Sequence, residues 1–358
     1  GGQLYIRGGA PIQNLVKLDG MILYNPFHSI GFFSVFDTDI LQRADVYTAG
    51  FGAKYGGRNS SVMDIRTRSG NRKKYSGKVS SSTYMSKVLF EAPIGKRGVD
   101  GLAPSSLLIS VKASYLDAIA PIVYPYVATE YGGLPFSFQD IFGKYTIESK
   151  GGNRVNLFGF NFNDAVRFAG DKTISWQSNG YGADFLVIPA SSGTIIEAHL
   201  AQSNYKIQST ELLNRPRESA IDGFNGGLDF TYLLRKYDEF KYGLEFVGYR
   251  TDYAYTNSVG RTLDQVQNTT EIGGYMEYKR QQGRWLVQPG LRLHNYGSLA
   301  IVRAEPRIGL KFNATEYLRF KGSAGRYSQN LVAANSDRDV VNLFYGFLSG
   351  AGDLPTQF

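Results

Sequence analysis

The sequence predicts an all-β fold of the outer-membrane barrel class, preceded by a small α+β unit. From Tyr75 onward, apolar and polar residues alternate with a period of two. The alternation persists over segments far longer than the five or six residues typical of globular strands. Connections between these segments alternate between short and long, as they do in outer-membrane barrels. The 358 residues include 25 Tyr, 23 Phe and 42 Gly, a composition that suits pleated, half-buried surfaces.

Composition also excludes several classes. An aromatic content of 14% is incompatible with disorder. The absence of Cys excludes a disulfide scaffold, a thiolate-bound metal and a thiol nucleophile. No apolar run is long enough for a membrane-crossing helix. Ala118 to Thr129 comes nearest and is broken by Pro121 and Pro125. Lys and Arg total 39 against 31 Asp and Glu, a net charge of +8, but the charges are scattered rather than gathered into a nucleic-acid-binding patch. The chain opens at Gly1 in what reads as a strand and stops at Phe358 in a loop, so it reads as a piece of something longer.

The elements follow in order. Leu4 to Arg7 reads as a strand. Leu15 to Tyr24 reads as two strands around an Asp19-Gly20 turn. Asp37 to Arg43 reads as one or two helical turns capped by Asp37. Asp45 to Tyr47 and Val62 to Thr67 complete a unit ending near residue 70. The basic run Arg66, Arg68, Arg72, Lys73 and Lys74 reads as a solvated linker. Beyond it, Leu107, Ile109, Val111, Ala113 and Tyr115 share one face of a strand, and Leu108, Ser110, Lys112 and Ser114 the other. Val287, Pro289, Leu291 and Leu293 form another apolar face, as do Pro306, Ile308, Leu310 and Phe312. Short turns fall at 150–153, 189–193, 235–238, 280–283 and 313–315, and long connections at 118–138, 165–175, 207–220 and 256–268. The count is about thirteen strands. A soluble sandwich would show the same alternation. Strand length favours the membrane barrel, and so do aromatic residues read as interfacial girdles, among them Phe158, Phe160, Phe162, Tyr249, Tyr253 and Tyr255.

Residues 1–70 carry a family likeness. Tyr5-Ile6-Arg7-Gly8, Gln13 to Gly20, Ile40 to Tyr47, Tyr55-Gly56-Gly57-Arg58 and Val62 to Thr67 together resemble the plug domain of TonB-dependent outer-membrane receptors. Tyr24 to His28 with Gly31 to Phe36 is similar to the Bacteroidota type. The likeness is specific over about 70 residues and architectural beyond, where it implies a plug inside a barrel of about 22 strands. Residues 1–70 would be the C-terminal part of the plug and 71–358 the N-terminal part of the barrel. Roughly 285 residues follow Lys74, and a span takes about nine to eleven before its connection, so rather more than half of such a barrel fits. The resemblance implies active uptake of a nutrient across the outer membrane of a Gram-negative bacterium. TonB would act through an N-terminal box outside this chain. Outer-membrane lipids, and a surface lipoprotein or other outer-membrane subunits, are the further partners implied. The alternative is a receptor-like barrel serving as a structural subunit without transport.

Catalytic patterns are lacking. His28, His199 and His294 are far apart in sequence, and no metal-binding spacing, nucleophile elbow or phosphate loop occurs. Neither enzyme, catalytic residue, metal, cofactor nor nucleic acid is expected. His294, on a polar strand face, reads as a solvated lumen residue. The resemblance places Gly9 to Gln13 and Tyr24 to Phe33 at plug apices facing outward, with Gln13, Tyr24, Asn25, Phe27 and His28 as candidate ligand contacts. Phe27, Phe32 and Phe33 read equally as plug core. Arg7, Arg43 and Arg58 are expected at the plug–barrel contact, paired with carboxylates such as Glu197, Glu245 and Glu277. A plug that must move is expected to be held by polar contacts rather than by a dry core.

Overall fold

The computed structural model describes residues 5–28, 35–123, 125–126, 136–168, 172–190, 192–210, 217–235, 238–256, 260–334 and 346–349. The N-terminal unit is a four-stranded sheet of β1 (Asn14–Leu18), β2 (Met21–Leu23), β3 (Leu41–Tyr47) and β4 (Ser61–Thr67), in the order β2-β1-β4-β3. The β1–β2 hairpin turns at Asp19 and Gly20, whose φ values of 50° and 91° are the left-handed pair that a tight two-residue hairpin requires. β1 runs parallel to β4, and the remaining pairs are antiparallel.

Two local expectations change. Of the strand expected at Leu4 to Arg7, Leu4 lies outside the described residues, and Tyr5, Ile6 and Arg7 form none. An isolated Ile6–Gly9 bridge closes a turn there, with Arg7 and Gly8 at φ 49° and 81°. The helical segment after Asp37 is one 3-10 turn, Thr38–Ile40, with the Asp37 carboxylate accepting from the Asp39 amide at 3.0 Å. The chain then goes directly into β3, where Leu41 to Arg43 pair with β4 instead of extending the turn.

The second sheet begins with β5 (Ser76–Ser81), β6 (Met85–Ile94) and β7 (Ser105–Ser114). It continues through β8 (Phe136–Glu148), β9 (Arg154–Phe168), β10 (Lys172–Val187) and β11 (Thr194–Thr210). β12 (Arg217–Arg235), β13 (Asp238–Thr256), β14 (Thr262–Gln282), β15 (Trp285–Tyr296), β16 (Ile301–Asn313) and β17 (Arg319–Gly325) complete it. Among the described residues these make one 13-stranded antiparallel meander, each strand beside its sequence neighbours. A sandwich would have split them between two sheets. The connection after β7 contains a helix, α1 (Leu116–Val123), where a loop was expected. A short separate pair, β18 (Leu331–Ala334) and β19 (Gly346–Ser349), follows β17.

β8 through β14 lengthen from 13 to 21 residues, whereas about nine to eleven suffice to cross a bilayer. The outer face shows where the surplus lies. Leu244, Phe246, Leu293 and Ile308 are 39% to 62% exposed although apolar, as lipid-facing residues would be. The connections expected to be long at 165–175, 207–220 and 256–268 are instead only residues 169–171, 211–216 and 257–261, because the strands run on through them. Towards that end the outward positions turn polar. Asn161, Asn179, Asn204, Asp222, Arg250 and Asn268 are successive cross-strand partners from β9 to β14. The strands thus extend past the apolar belt as a hydrophilic collar.

The plug meets inward residues from β6 to β16, so the long sheet curves around it. Val16, Leu18, Met21, Leu23 and Ile65 of the plug share an apolar cluster with Leu89, Leu108, Phe142, Phe158, Phe160 and Phe162 of the wall. This corrects two expectations. The plug–wall contact includes a dry core, and Phe158, Phe160 and Phe162, each 5–6% exposed, are not girdle residues. Their strand parity points them inward, where each buried ring contributes about 1.5–3 kcal/mol. Tyr249 is likewise buried, inside the lumen. Outward aromatics are instead Phe224, Tyr232, Tyr242 and Phe246.

Candidate functional site: the plug–wall seam and the aromatic vestibule

β2 is an edge strand whose free backbone groups are buried. Asn225 of β12 caps this edge and the turn before it, accepting from Ile22 N at 3.2 Å and donating to Gly20 O at 2.9 Å. Ser203 of β11 donates to Ile22 O at 2.6 Å. Wall side chains therefore do for this edge what another strand would do.

Charges bind the remaining plug surface. Lys17 lies 2.5 Å from Glu245 of β13, whose other oxygen is 2.7 Å from Arg292 of β15. Arg292, 1% exposed, also donates to Lys54 O at 3.1 Å and to His294 Nδ1 at 3.2 Å. Lys54 pairs with Asp229 at 2.9 Å. Lys144 lies 3.2 Å from Asp19 and donates to Thr67 O at 3.1 Å. Glu277 accepts from Ala53 N at 2.8 Å, and Arg307 donates to Gly52 O and Tyr55 O at 2.7 and 2.6 Å. Every one of these wall residues sits at an inward position, and an inward charge in a filled lumen is stable only with a partner.

Two of the three arginines expected at this contact border the wall: Arg43 lines a polar space between plug and wall, and Arg58 acts electrostatically on Tyr249. Arg43 is on the outer strand of the plug sheet, 63% exposed, and pairs with Asp45 of the same strand. Arg58 donates to the adjoining Gly57 O, and Arg7 occupies the left-handed turn. Glu245 and Glu277 do hold the plug, through Lys17 and a backbone amide, and Glu197 stands 3.8 Å from Lys54. His294 is not solvated. It is 2% exposed, 3.0 Å from Glu271 and stacked on Tyr296. The basic run is also largely engaged. Arg68 forms a fork with Glu91 at 2.7 and 2.8 Å, and Arg72 donates to Ala103 O at 2.7 Å, leaving Lys73 and Lys74 exposed.

The candidate apex residues separate into those held within the plug and those that meet the wall. His28 is 3% exposed, with Nδ1 3.1 Å from Asp164 and Nε2 2.9 Å from Asp140. Its ring stacks on Phe138 at 4.4 Å, and Lys112 shares Asp140 at 2.8 Å. Burial pulls the His28 pKa down, but the hydrogen bonds to the two carboxylates outweigh it and raise it above the ordinary value. Gln13 folds back, its Oε1 accepting from Ala10 N at 2.8 Å. Phe27 is half-buried and its amide donates to Asn25 Oδ1 at 3.3 Å. Phe32 and Phe33 lie outside the described residues. Tyr24 and Asn25 remain. Asn25 donates to the Tyr205 hydroxyl at 3.3 Å, and Tyr24 stands among the aromatic and aliphatic side chains around Trp176, Tyr205 and Tyr249. Burial raises the Tyr24 phenol well above its usual range, so it stays a neutral donor. A polar space of about 400 Å³ opens between plug and wall near the 149–153 and 188–193 turns, lined by Asp19, Arg66, Lys144, Asp184 and His199. No group of three or more metal-ligating side chains occurs among the described residues.

Comparison with known proteins agrees with this architecture. Residues 1–62 match the TonB-dependent Receptor Plug Domain family. A mutant of the ferric enterobactin receptor PfeA from Pseudomonas aeruginosa superposes with a TM-score of 0.68 at 14% identity, over 92% of this chain and 57% of that one. The siderophore receptor PirA from Acinetobacter baumannii gives 0.69 at 16% identity, over 99% of this chain and 60% of that one. The FrpB iron transporter from Neisseria meningitidis gives 0.64 at 12% identity, over 89% and 57%. The chain thus spans less than two thirds of the length of these structures. No curated protein matches its sequence. The N-terminal unit is a TonB-dependent receptor plug, and the chain has the plug-in-barrel fold of that family of outer-membrane receptors.

Proposed function

We propose that this protein is a TonB-dependent outer-membrane receptor that captures a nutrient in the vestibule above its plug and passes it inward when TonB pulls on the plug. The observation that carries the reading is the plug itself, seated in the lumen by an apolar cluster and by ion pairs from Lys17, Lys54 and Asp19 to the wall. A barrel that served only as scaffold would have no need of a separately folded stopper. Ligand contact falls to Tyr24 and Asn25 first, because they meet the aromatic wall cluster of Trp176, Tyr205 and Tyr249, with Phe27 beside them. Gln13 and His28 support the apex, and the substrate leaves chemically unchanged. The solved relatives are receptors for siderophores or iron, which makes an iron-limited nutrient screen the natural start.

The test compares growth of a strain deleted for this gene, a complemented strain and a tonB-deficient strain across iron sources, glycans, peptides and cobalamin. A defect on at least one nutrient, restored by complementation only where TonB is present, is expected. Unimpaired growth on all of them, together with loss of another outer-membrane protein from the envelope, would replace transport by a structural-subunit role.

A further inference from the structure

The outward face of the long sheet carries a hollow inside the apolar belt. Along β14 the outward positions run Ile272, Gly274, Met276, Tyr278 and Arg280, from the polar collar towards the β14–β15 turn. Gly274 stands directly between Leu244 of β13 and Leu293 of β15, which are 62% and 52% exposed. A position without a side chain between two projecting leucines leaves a depression in the belt. It measures about 520 Å³, and its lining reaches from Leu228, Leu244 and Leu293 beside Gly274 to Tyr242 and Phe240 in the next two cross-strand rows. Phe230 and Tyr242 stack at 5.0 Å and 10°, which makes one side of it a rigid aromatic wall. The backbone does not require glycine here, because Gly274 is not in left-handed conformation, and an added Cβ would meet only the tip of Leu244, at 3.3 Å.

The polar end of the same column carries a cation with nothing to hold. Arg280 is exposed and makes no hydrogen bond or ion pair with any described residue. The carboxylates at the adjoining end of β13 are already engaged. Asp238 accepts from the Tyr278 hydroxyl at 3.2 Å, and Glu239 holds Lys241 and Lys279 at 3.3 and 3.1 Å. Trp285, exposed at the start of β15, packs its ring 4.5 Å from Phe312, the kind of outward aromatic pair that marks the edge of the hydrocarbon layer. Arg280 therefore stands at the depth of lipid headgroups. From Gly274 to Arg280 the strand rises about 20 Å, which an extended acyl chain of about sixteen carbons spans.

We propose that this strip of the outer wall binds one anionic glycerophospholipid, with an acyl chain seated in the hollow over Gly274 and the phosphate on Arg280. Burial of the chain supplies the seat, and the cation supplies the selectivity. A zwitterionic lipid brings the same chain, but its own ammonium beside the phosphate offsets the attraction to Arg280. The site needs only the barrel and holds whether or not the protein transports.

The test is native mass spectrometry of the full-length protein in detergent, titrated with lipid. The probes are palmitoyl-oleoyl phosphatidylglycerol, phosphatidylcholine with the same chains, and dihexanoyl phosphatidylglycerol, which has the headgroup without a chain long enough for the hollow. One long-chain phosphatidylglycerol is expected to bind about fivefold tighter than the phosphatidylcholine, the selectivity that a single basic residue gives towards an anionic headgroup. The short-chain lipid is expected to bind more weakly than either. Arg280→Gln should bring the two long-chain lipids to equal affinity, and Arg280→Lys should keep the preference. Gly274→Leu, which fills the hollow, should weaken both long-chain lipids together. Heat-modifiability on gels verifies that each variant keeps its barrel. Equal binding of the two long-chain lipids by the wild type, or unchanged phosphatidylglycerol binding in folded Gly274→Leu, overturns the site. A dimer that Gly274→Leu dissolves, without lipid selectivity, would assign the hollow to a second copy of the chain and overturn it as well.

Discussion

The guanidinium of Arg292 lies so close to Gly56 of the plug that a Cβ placed on Gly56 would stand 2.5 Å from Cζ. Gly56 is therefore small because a wall arginine passes over it, not because the backbone there needs a left-handed turn. Gly56→Ala should push Arg292 off Glu245 and leave a carboxylate with one fewer partner in a dry place. Breaking a buried pair costs about 3–5 kcal/mol. The expected result is a plug cut by protease in a barrel that still shows normal heat-modifiability. Gly322→Ala, with open space around its Cβ position, is the matched control and should behave as wild type. Equal protection of both variants would dismiss the contact as unimportant.

The outer face offers a second comparison. Leu293 is 52% exposed in the apolar belt, while Asn204 stands on the collar between Asn179 and Asp222. Leu293→Arg should destabilise the barrel by roughly 2–4 kcal/mol in a folding titration into lipid, depending on its depth, whereas Asn204→Arg should be close to neutral. Similar losses at the two positions would place the bilayer boundary elsewhere.

Much of this fold was readable before any coordinates. Period-two alternation identified the long strands, and the Asp19-Gly20 pair identified the plug hairpin, because both signals are local. What the sequence could not tell was which face of the alternation met the plug. Phe158, Phe160 and Phe162 read as girdle residues since an aromatic at an inward position and one at an outward position look alike along a single strand. The mooring pairs were hidden for a related reason. Lys17 and Glu245 are separated by most of the chain, and nothing local says that they meet. A usable sign existed in Arg292, the only Lys, Arg, Asp or Glu on its strand, since such a charge implies a partner across the lumen. Tyr24 and Asn25 were recognisable only through the family resemblance. His28 beside them proved to be held by the wall, which depends on Asp140 and Asp164 lying on two different strands.

Orientation gives a third prediction. Gly152 is at the tip of the β8–β9 turn, at φ 83° with the Ile188 side chain in ordinary contact at 3.6 Å, and Gly260 is in the β13–β14 connection at the opposite end, at φ 79° with open space around it. Because the protein has no Cys, Gly260→Cys and Gly152→Cys each create a single labelling site. Membrane-impermeant maleimide on intact cells should modify the first and spare the second. Both sites sit in left-handed backbone, so the variants carry some strain, and folding is verified by heat-modifiability before labelling. Labelling of Gly152→Cys alone would invert the barrel.

The last prediction concerns pH. His28 touches Asp140 and Asp164 at once, with Lys112 bound to the first and Phe138 stacked beneath the ring. Only the imidazolium can donate from both nitrogens. The neutral ring donates from one and turns a lone pair towards the other carboxylate. The His28 pKa in the folded protein is raised above its ordinary value of 6.5. The stabilisation is therefore complete below that ordinary value and is lost as pH climbs through the raised one. Hydrogen exchange of the plug amides near Tyr24 to His28 should accordingly quicken, beyond the intrinsic base-catalysed increase, as pH rises above 6.5 and through the raised value. His28→Gln, which keeps one donor and no titrating group, should show only the intrinsic increase. Lys112→Met should exaggerate the wild-type effect at low pH, because Asp140 would then depend on His28 alone for its positive partner. A wild-type profile that runs parallel to that of His28→Gln over the whole range would show that the imidazole stays in one protonation state and that the plug is held here by stacking on Phe138.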